Sequence, residues 1–240
     1  MAHVPRFYTD ATLAVGASVP LSPGASRHAI SVLRLQSGAA IELFNGDGQA
    51  YAAALSVSGR TATAAVERCH AGPARGQPIT LALGVSRGDR MDYALQKCVE
   101  LGVARIQPLM SARSSVRLSA ERLPKKQQHW QNVVISACEQ SGRCDLPALD
   151  PPCNVEPFLR DTAPGLVLDP RCDTLISQAP LASAPGPSVM VGPESGFSEA
   201  ELNAALVHGW QGVSLGPLVL RTETAAVVAV ALMRARQALL

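Results

Sequence analysis

The segment Ser188 to Leu202, SVMVGPESGFSEAEL, puts a carboxylate inside a glycine-containing turn. Gly192 and Gly196 permit close approach of a ligand to the backbone, and Glu194 stands between them. A turn of this kind ahead of a helix ordinarily attracts phosphate, because free N–H groups and the helix dipole favour anions. Glu194 opposes that use, and the chain contains neither GxxxxGK[ST] nor GxGxxG. The chemistry that fits is a ligand with positive charge or hydrogen-bond donors; a sulfonium nucleotide such as S-adenosylmethionine has that character. A second segment, SLGPLVLRTETAAVVAVAL from Ser214, packs Arg221, Thr222, Glu223 and Thr224 into a helix start. Glu223 suits the positive end of a helix dipole and Arg221 does not, so Arg221 invites a functional explanation. Leu168-Asp169-Pro170 forms a third strand end, with proline stopping the strand.

Alternating elements must position these residues. The pattern predicts strands over ITLALGV, VARIQPLM, GLVLDP, VMV and GVSLG. Between them it predicts helices in GDRMDYALQKCVELG, with Asp89 as cap and Gly102 as stop, and from Pro124 to Ser141. A short helix is expected near Leu175, and another to His208 behind the capping box Ser198/Glu201. A last helix, Thr222 to Leu239, has Thr222 as its cap. The Pro-rich pieces 145–157 and 180–187 read as loops. Such alternation implies a mostly parallel sheet covered by helices on both faces. Open sheets of this kind bind ligands at the carboxyl ends of their strands, where all three turns lie.

The first seventy residues differ. A short helix is expected around Ser26 to Leu35, then two strands flank Asn45-Gly46-Asp47-Gly48, a hairpin signal, and TATAAVE adds a further strand. The domains expected are a small β-rich unit over 1–70, a linker over 71–78 and an α/β unit over 79–240.

Composition narrows the class. The 240 residues are 47% hydrophobic, enough for a substantial core. The longest apolar run, Ala225 to Met233, falls far short of the roughly 20 residues that span a bilayer. No signal peptide is evident, so a cytoplasmic location is expected. Six cysteines without a CxxC pair, and five histidines without ligand spacing, give no basis for a metal site. Net charge is only +2, but Arg105 to Lys126 holds six Lys/Arg against Glu121 alone, a cluster suited to a phosphate backbone. The last helix is apolar on every side; one side against the domain and the other against a second copy would bury it, so a homodimer is expected.

VGPESGFSEAEL followed by SLGPLVLRTETA resembles the ribosomal RNA small-subunit uridine N3-methyltransferase family, in the SPOUT class of knotted methyltransferases. RFYTD and HAISVLRLQSGAAIELFNGDGQAY resemble its N-terminal PUA-like domain, and RGDRMDYALQKCVELGV, QPLMSARSSV and ACEQSGRCDLP its central segments. The resemblance implies a deep trefoil knot, bound S-adenosylmethionine, a homodimer, and methylation of one uridine at N3 in 16S rRNA of the small ribosomal subunit. Two departures stand out: Ser195 replaces a loop glycine, and Pro217 stands where the family has arginine.

The cofactor-binding set expected from the three turns is Leu168, Asp169, Pro170, Gly192, Pro193, Glu194, Gly196, Leu215, Gly216, Leu220, Thr222 and Ala225. Methylation at N3 requires that the uridine lose its N3 proton, and a guanidinium beside the uracil oxygens would stabilise the resulting charge. Arg221 is the candidate catalytic residue. Arg6, Arg113, Arg117 and Arg143 are candidates for holding RNA, and Glu139, Glu194 and Glu223 are the carboxylates considered for proton removal. The rival reading is a non-catalytic RNA-binding or ribosome-assembly protein, in which both glycine turns are structural; a phosphate-handling hydrolase is disfavoured by Glu194 and the missing lysine.

Overall fold

The structure is a computed structural model that describes residues 4–74, 76–116, 119, 121–182 and 185–237. It divides into two compact units. The N-terminal unit contains β1 (Arg6–Tyr8), β2 (Ser18–Pro20), α1 (Pro23–Arg27), β3 (Ala40–Phe44), β4 (Gln49–Ser58) and β5 (Thr61–Ala71). Its sheet runs β1-β3-β4-β5-β2. The β3–β4 connection uses positive φ at Gly46 (95°) and Gly48 (89°), as the Asn-Gly-Asp-Gly pattern requires. In β5 the side chains of Ala62, Ala64 and Val66 are buried while their neighbours face out, the period of a sheet with one covered face. Phe7, Ile41, Leu43 and Leu55 complete that core. The expected helix over 26–35 is instead α1, capped by Ser22, followed by a π-helical turn over His28–Val32.

The C-terminal unit contains β6 (Thr80–Gly84), α2 (Gly88–Glu100), β7 (Arg105–Met110), α3 (Leu123–Ser141), β8 (Ala148–Leu149), β9 (Cys153–Asn154) and α4 (Val155–Asp161). It continues with β10 (Leu166–Leu168), β11 (Ser188–Val191), α5 (Glu199–Val207), β12 (Gln211–Val213) and α6 (Thr222–Arg236). All its strand pairs are parallel, in the order β12-β10-β11-β6-β7-β8, with β9 beside β7. Residues of α4 and α5 pack on one set of strand side chains, including Ala82, Val167 and Met190. The helix α6 packs against α2, β6 and β11. Alternation along β6 and β11 sends Leu81, Leu83, Val189 and Val191 to the face opposite Ala82 and Met190, and all of these are buried. The sheet is therefore covered on both sides, as a parallel sheet requires. The end of α3 is the exception to this partition: residues 135–146, placed in 79–240 by the sequence pattern, cluster with the N-terminal unit.

Four local expectations need correction. The helix near Leu175 is absent; Leu175 instead forms an isolated parallel bridge to Ser214. The Pro-rich stretch 145–157 contains the start of α4, which tolerates Pro157 because it sits in the first turn, where its missing N–H has no intrahelical partner. Asp89 lies in the first turn of α2, whose N-cap is Arg87. Thr222 likewise lies inside α6, whose N-cap is Arg221, a residue without a capping side-chain bond. Among the described residues no helix is long and apolar enough to cross a membrane.

Candidate functional site

Three consecutive parallel strands, β10, β11 and β12, end on the same edge of the C-terminal sheet, and their loops border two adjoining cavities. The larger, about 420 Å³, is lined by Leu168 and Pro170 after β10 and by Gly192, Pro193, Glu194, Ser195 and Gly196 after β11. Leu220, Arg221, Thr222 and Ala225 close it from the last loop and α6. The smaller, about 60 Å³, is lined by Asp169, Leu215 and Gly216 and shares Leu168, Pro170, Leu220 and Ala225 with the larger. Every residue assigned from the three turns thus borders one of these two spaces. The walls are largely aliphatic, and the charged groups are Glu194, Arg221 and one residue the sequence pattern did not single out, Arg90. Arg90 lies in the first turn of α2, after the end of β6. A fourth strand end on the same edge was the signal that could have found it.

The β11 loop is shaped by close contacts. A Cβ on Gly84 at the end of β6 would collide with the Pro193 nitrogen, so glycine there lets the loop lie against the strand. Gly196 adopts φ +69°, a left-handed conformation that favours glycine. Ser195 is not among the described residues with positive φ, so its replacement of the family's glycine requires no strained backbone. Below the loop, Ser198 and Glu201 form the expected capping box of α5. The Glu201 carboxylate also accepts from Ser111 Oγ (3.0 Å) and from the Ala112 N–H (2.8 Å), which ties the loop after β7 to the start of α5.

Glu194 accepts a hydrogen bond from the Arg87 N–H (3.1 Å) and faces Arg90 Nη1 at 3.5 Å. It therefore supplies α2 with the N-terminal acceptor that Asp89 was expected to provide. Burial raises the Glu194 carboxyl, but the Arg87 N–H, its own N–H and the charges of Arg90 and Arg87 outweigh burial and hold it below the usual glutamate range. Asp169 is similarly lowered, chiefly by hydrogen bonds from Arg171, which also reaches Glu199 in α5 (2.5 Å). Arg221 is exposed, and its guanidinium has no hydrogen-bond or ion-pair partner among the described residues.

The proposed RNA-facing residues divide. Arg113 is exposed, and its Nη1 reaches the Ser195 carbonyl at 3.5 Å, beside the β11 loop. Arg117 lies outside the described residues. Arg6 and Arg143 are buried in the N-terminal unit: Arg6 Nε pairs with Glu42 (2.6 Å) and its Nη2 donates to the Arg143 carbonyl, while Arg143 pairs with Asp145 (2.5 Å). Their guanidiniums are engaged inside the protein. Of the three carboxylates considered for proton removal, only Glu194 lines the cavity; Glu139 accepts from the Tyr8 N–H in the N-terminal unit. Among the described residues no group of three or more His, Cys, Asp or Glu gathers as a metal site.

Comparison with known proteins is consistent along the whole chain. A family profile described as an RNA methyltransferase domain matches residues 74–234, and one described as an RNA methyltransferase PUA domain matches residues 21–67. The ribosomal RNA small subunit methyltransferase E of Mycobacterium bovis is 31% identical over 232 residues, 93% of this chain and 88% of that protein. The solved structure of the same-named enzyme from Neisseria gonorrhoeae, bound to S-adenosyl methionine, superimposes with a TM-score of 0.88 at 38% identity, covering 98% of each chain. A methyltransferase structure from Legionella pneumophila with bound cofactor gives 0.93 at 35% identity, again over 98% of each. The chain belongs to the RNA methyltransferase family that includes the ribosomal RNA small subunit methyltransferases E.

Proposed function

We infer that this chain methylates ribosomal RNA of the small subunit with S-adenosylmethionine as donor, and that the target is N3 of a uridine. The observation that carries the inference is the convergence of three carboxyl strand ends on one largely aliphatic cavity whose charged groups are Glu194, Arg90 and Arg221. The cavity fits the donor by its chemistry: Leu168, Leu220 and Ala225 suit an adenine ring, and the glycine-containing β11 loop admits close backbone approach. Leu168, Asp169, Pro170, Gly192, Pro193, Gly196, Leu215, Gly216 and Thr222 would hold it. When bound, the donor supplies an electrophilic methyl on a cationic sulfur.

The remaining work falls to the chain's own side chains. Arg221, exposed and without a partner among the described residues, stabilises the uracil oxygens as N3 loses its proton to water. Held alignment of the two reactants can supply several kcal/mol, up to about 7–11 in ideal cases. Glu194, already committed to the Arg87 N–H and to Arg90, acts on the position of the loop and of Arg90. Arg113, beside the β11 loop, holds the RNA backbone together with Arg117, contributing affinity and salt dependence without base choice. In this reading the C-terminal unit carries the trefoil knot of its structural class, two copies associate through α6, and the enzyme acts in the cytoplasm.

The test is methyl transfer from labelled donor to small subunits purified from a strain lacking the modification, with the product nucleoside identified by mass. N3-methyluridine is the expected product. Donor binding in calorimetry with no transfer would favour a different RNA substrate, and absence of donor binding would favour the RNA-binding or assembly protein.

A further inference from the structure

The π-helical turn of the N-terminal unit ends in an unusual way. The Leu33 N–H donates to the His28 carbonyl and the Leu35 N–H to the Ala29 carbonyl, both at 2.9 Å. The turn is thus one residue wider than an ordinary helix end, where a left-handed residue, usually glycine, reverses the chain. Arg34 fills that left-handed position with φ +54°, the only non-glycine to do so among the described residues. Both flanks are anchored: Ala29 is fully buried, Ile30 and Leu35 pack on the core, and the His28 ring meets Phe7 edge-on at 6.1 Å. The apex between them is turned out to solvent. Val32 is 64% exposed, Leu33 is 39% exposed, and Arg34 is exposed without a partner among the described residues.

Packing does not account for Val32, and backbone preference disfavours the arginine at 34. A polar residue at 32 or 33 would remove exposed apolar surface, and glycine at 34 would relieve the backbone. An uncommon conformation kept at an exposed apex is a signature of function. Two aliphatic side chains beside a guanidinium match one partner chemistry best: irregular RNA, with unstacked base faces against the aliphatic pair and a phosphate or base plane on the arginine. We propose that Val32, Leu33 and Arg34 form an RNA contact of the N-terminal unit, remote in sequence from the methyl-transfer loops. The proposal rests on ribosomal RNA being the substrate.

The test compares full-length parent, Arg34→Gly, Arg34→Lys and the double variant Val32→Ser/Leu33→Ser. Binding to purified small subunits is read without methyl transfer, alongside thermal stability and donor binding. Arg34→Gly is expected to raise Tm by about 2–4 °C, since it relieves the left-handed backbone. It is also expected to weaken subunit binding about tenfold, lower the salt dependence by roughly one phosphate contact, and leave donor affinity within twofold. Arg34→Lys should recover part of the binding and none of the Tm gain, and the Ser/Ser variant should lose binding without losing stability. Unchanged subunit binding by Arg34→Gly overturns the proposal, as does a loss of stability that accounts for weaker binding. A parent that binds subunits and never methylates them overturns the proposed function, and loss of that binding in Arg34→Gly would still support the contact.

Discussion

Arg221 stands where helix electrostatics disfavour a cation, yet it lines the cavity exposed and without an ion-pair partner among the described residues. Arg221→Ala is expected to lower kcat by about 10²–10³, the loss found for single donors that stabilise an anionic transition state, with donor affinity changed less than threefold; calorimetry and initial rates separate the two. Glu194 differs because its charge is already used. Its carboxyl lies below the usual range in the folded protein, so its stabilising effect is complete above the unfolded value near 4.3 and is lost as pH falls through the folded value beneath it. The Tm difference between the parent and Glu194→Gln should therefore be flat above about pH 5 and shrink below about pH 4. A difference that grows on acidification would contradict the direction assigned to this carboxyl. The glycine turn and the out-of-place arginine were legible from residue types alone. The partner of Glu194 was not, because the α2 N-terminus that it caps lies 107 residues away in sequence.

At the scale of elements, the strand–helix alternation was readable wherever apolar periodicity and caps agreed. The Ser198/Glu201 box is the clearest case, since both halves of the signal lie within four residues. It does more than start a helix, because Glu201 also receives Ser111 Oγ and the Ala112 N–H from the loop that carries Arg113. Glu201→Gln should therefore lower Tm by more than Ser198→Ala, whose loss corresponds to a cap worth about 1 kcal/mol and a shift of roughly 2–4 °C. Only the Glu201 variant should also weaken binding to small subunits; thermal melts and subunit binding check both statements. The elements that escaped sequence reading were those whose local chemistry pointed the other way. Pro157 argued against α4 although a first-turn proline is tolerated, and the turn after α1 hid behind a left-handed arginine that propensity assigns to glycine.

At the scale of the molecule, the two faces of α6 bear on why this helix is so apolar. Ala226, Ala229, Val230 and Met233 are buried against the unit, while Val227, Val228, Ala231 and Leu232 on the opposite stripe are only partly covered. That second stripe is the surface through which the dimer is proposed to form. Val228→Arg should convert the dimer to monomer in sedimentation at micromolar concentration, with the isolated chain still folded by circular dichroism. An unchanged dimer would place the contact elsewhere. Parallel sheet architecture, and the edge that carries the two cavities, followed from element order. The partition into units did not, because the buried positions Trp130, Val134, Ala137 and Cys138 continue across the boundary at 134/135 and carry no sign that the last turns of α3 serve another core.

That division of α3 bears on how the protein is made and how it can be dissected. The first unit is not a continuous stretch of chain: Tyr8 needs the Glu139 carboxylate for its N–H, and Arg6 needs the Arg143 carbonyl and the Cys144 thiol. During synthesis it must wait, unfinished, until residues up to 146 have emerged. A graft of the first 74 residues onto another enzyme would carry that debt with it, leaving an amide and a guanidinium buried or bare. A transferable version has to bring the 135–146 segment along on a linker.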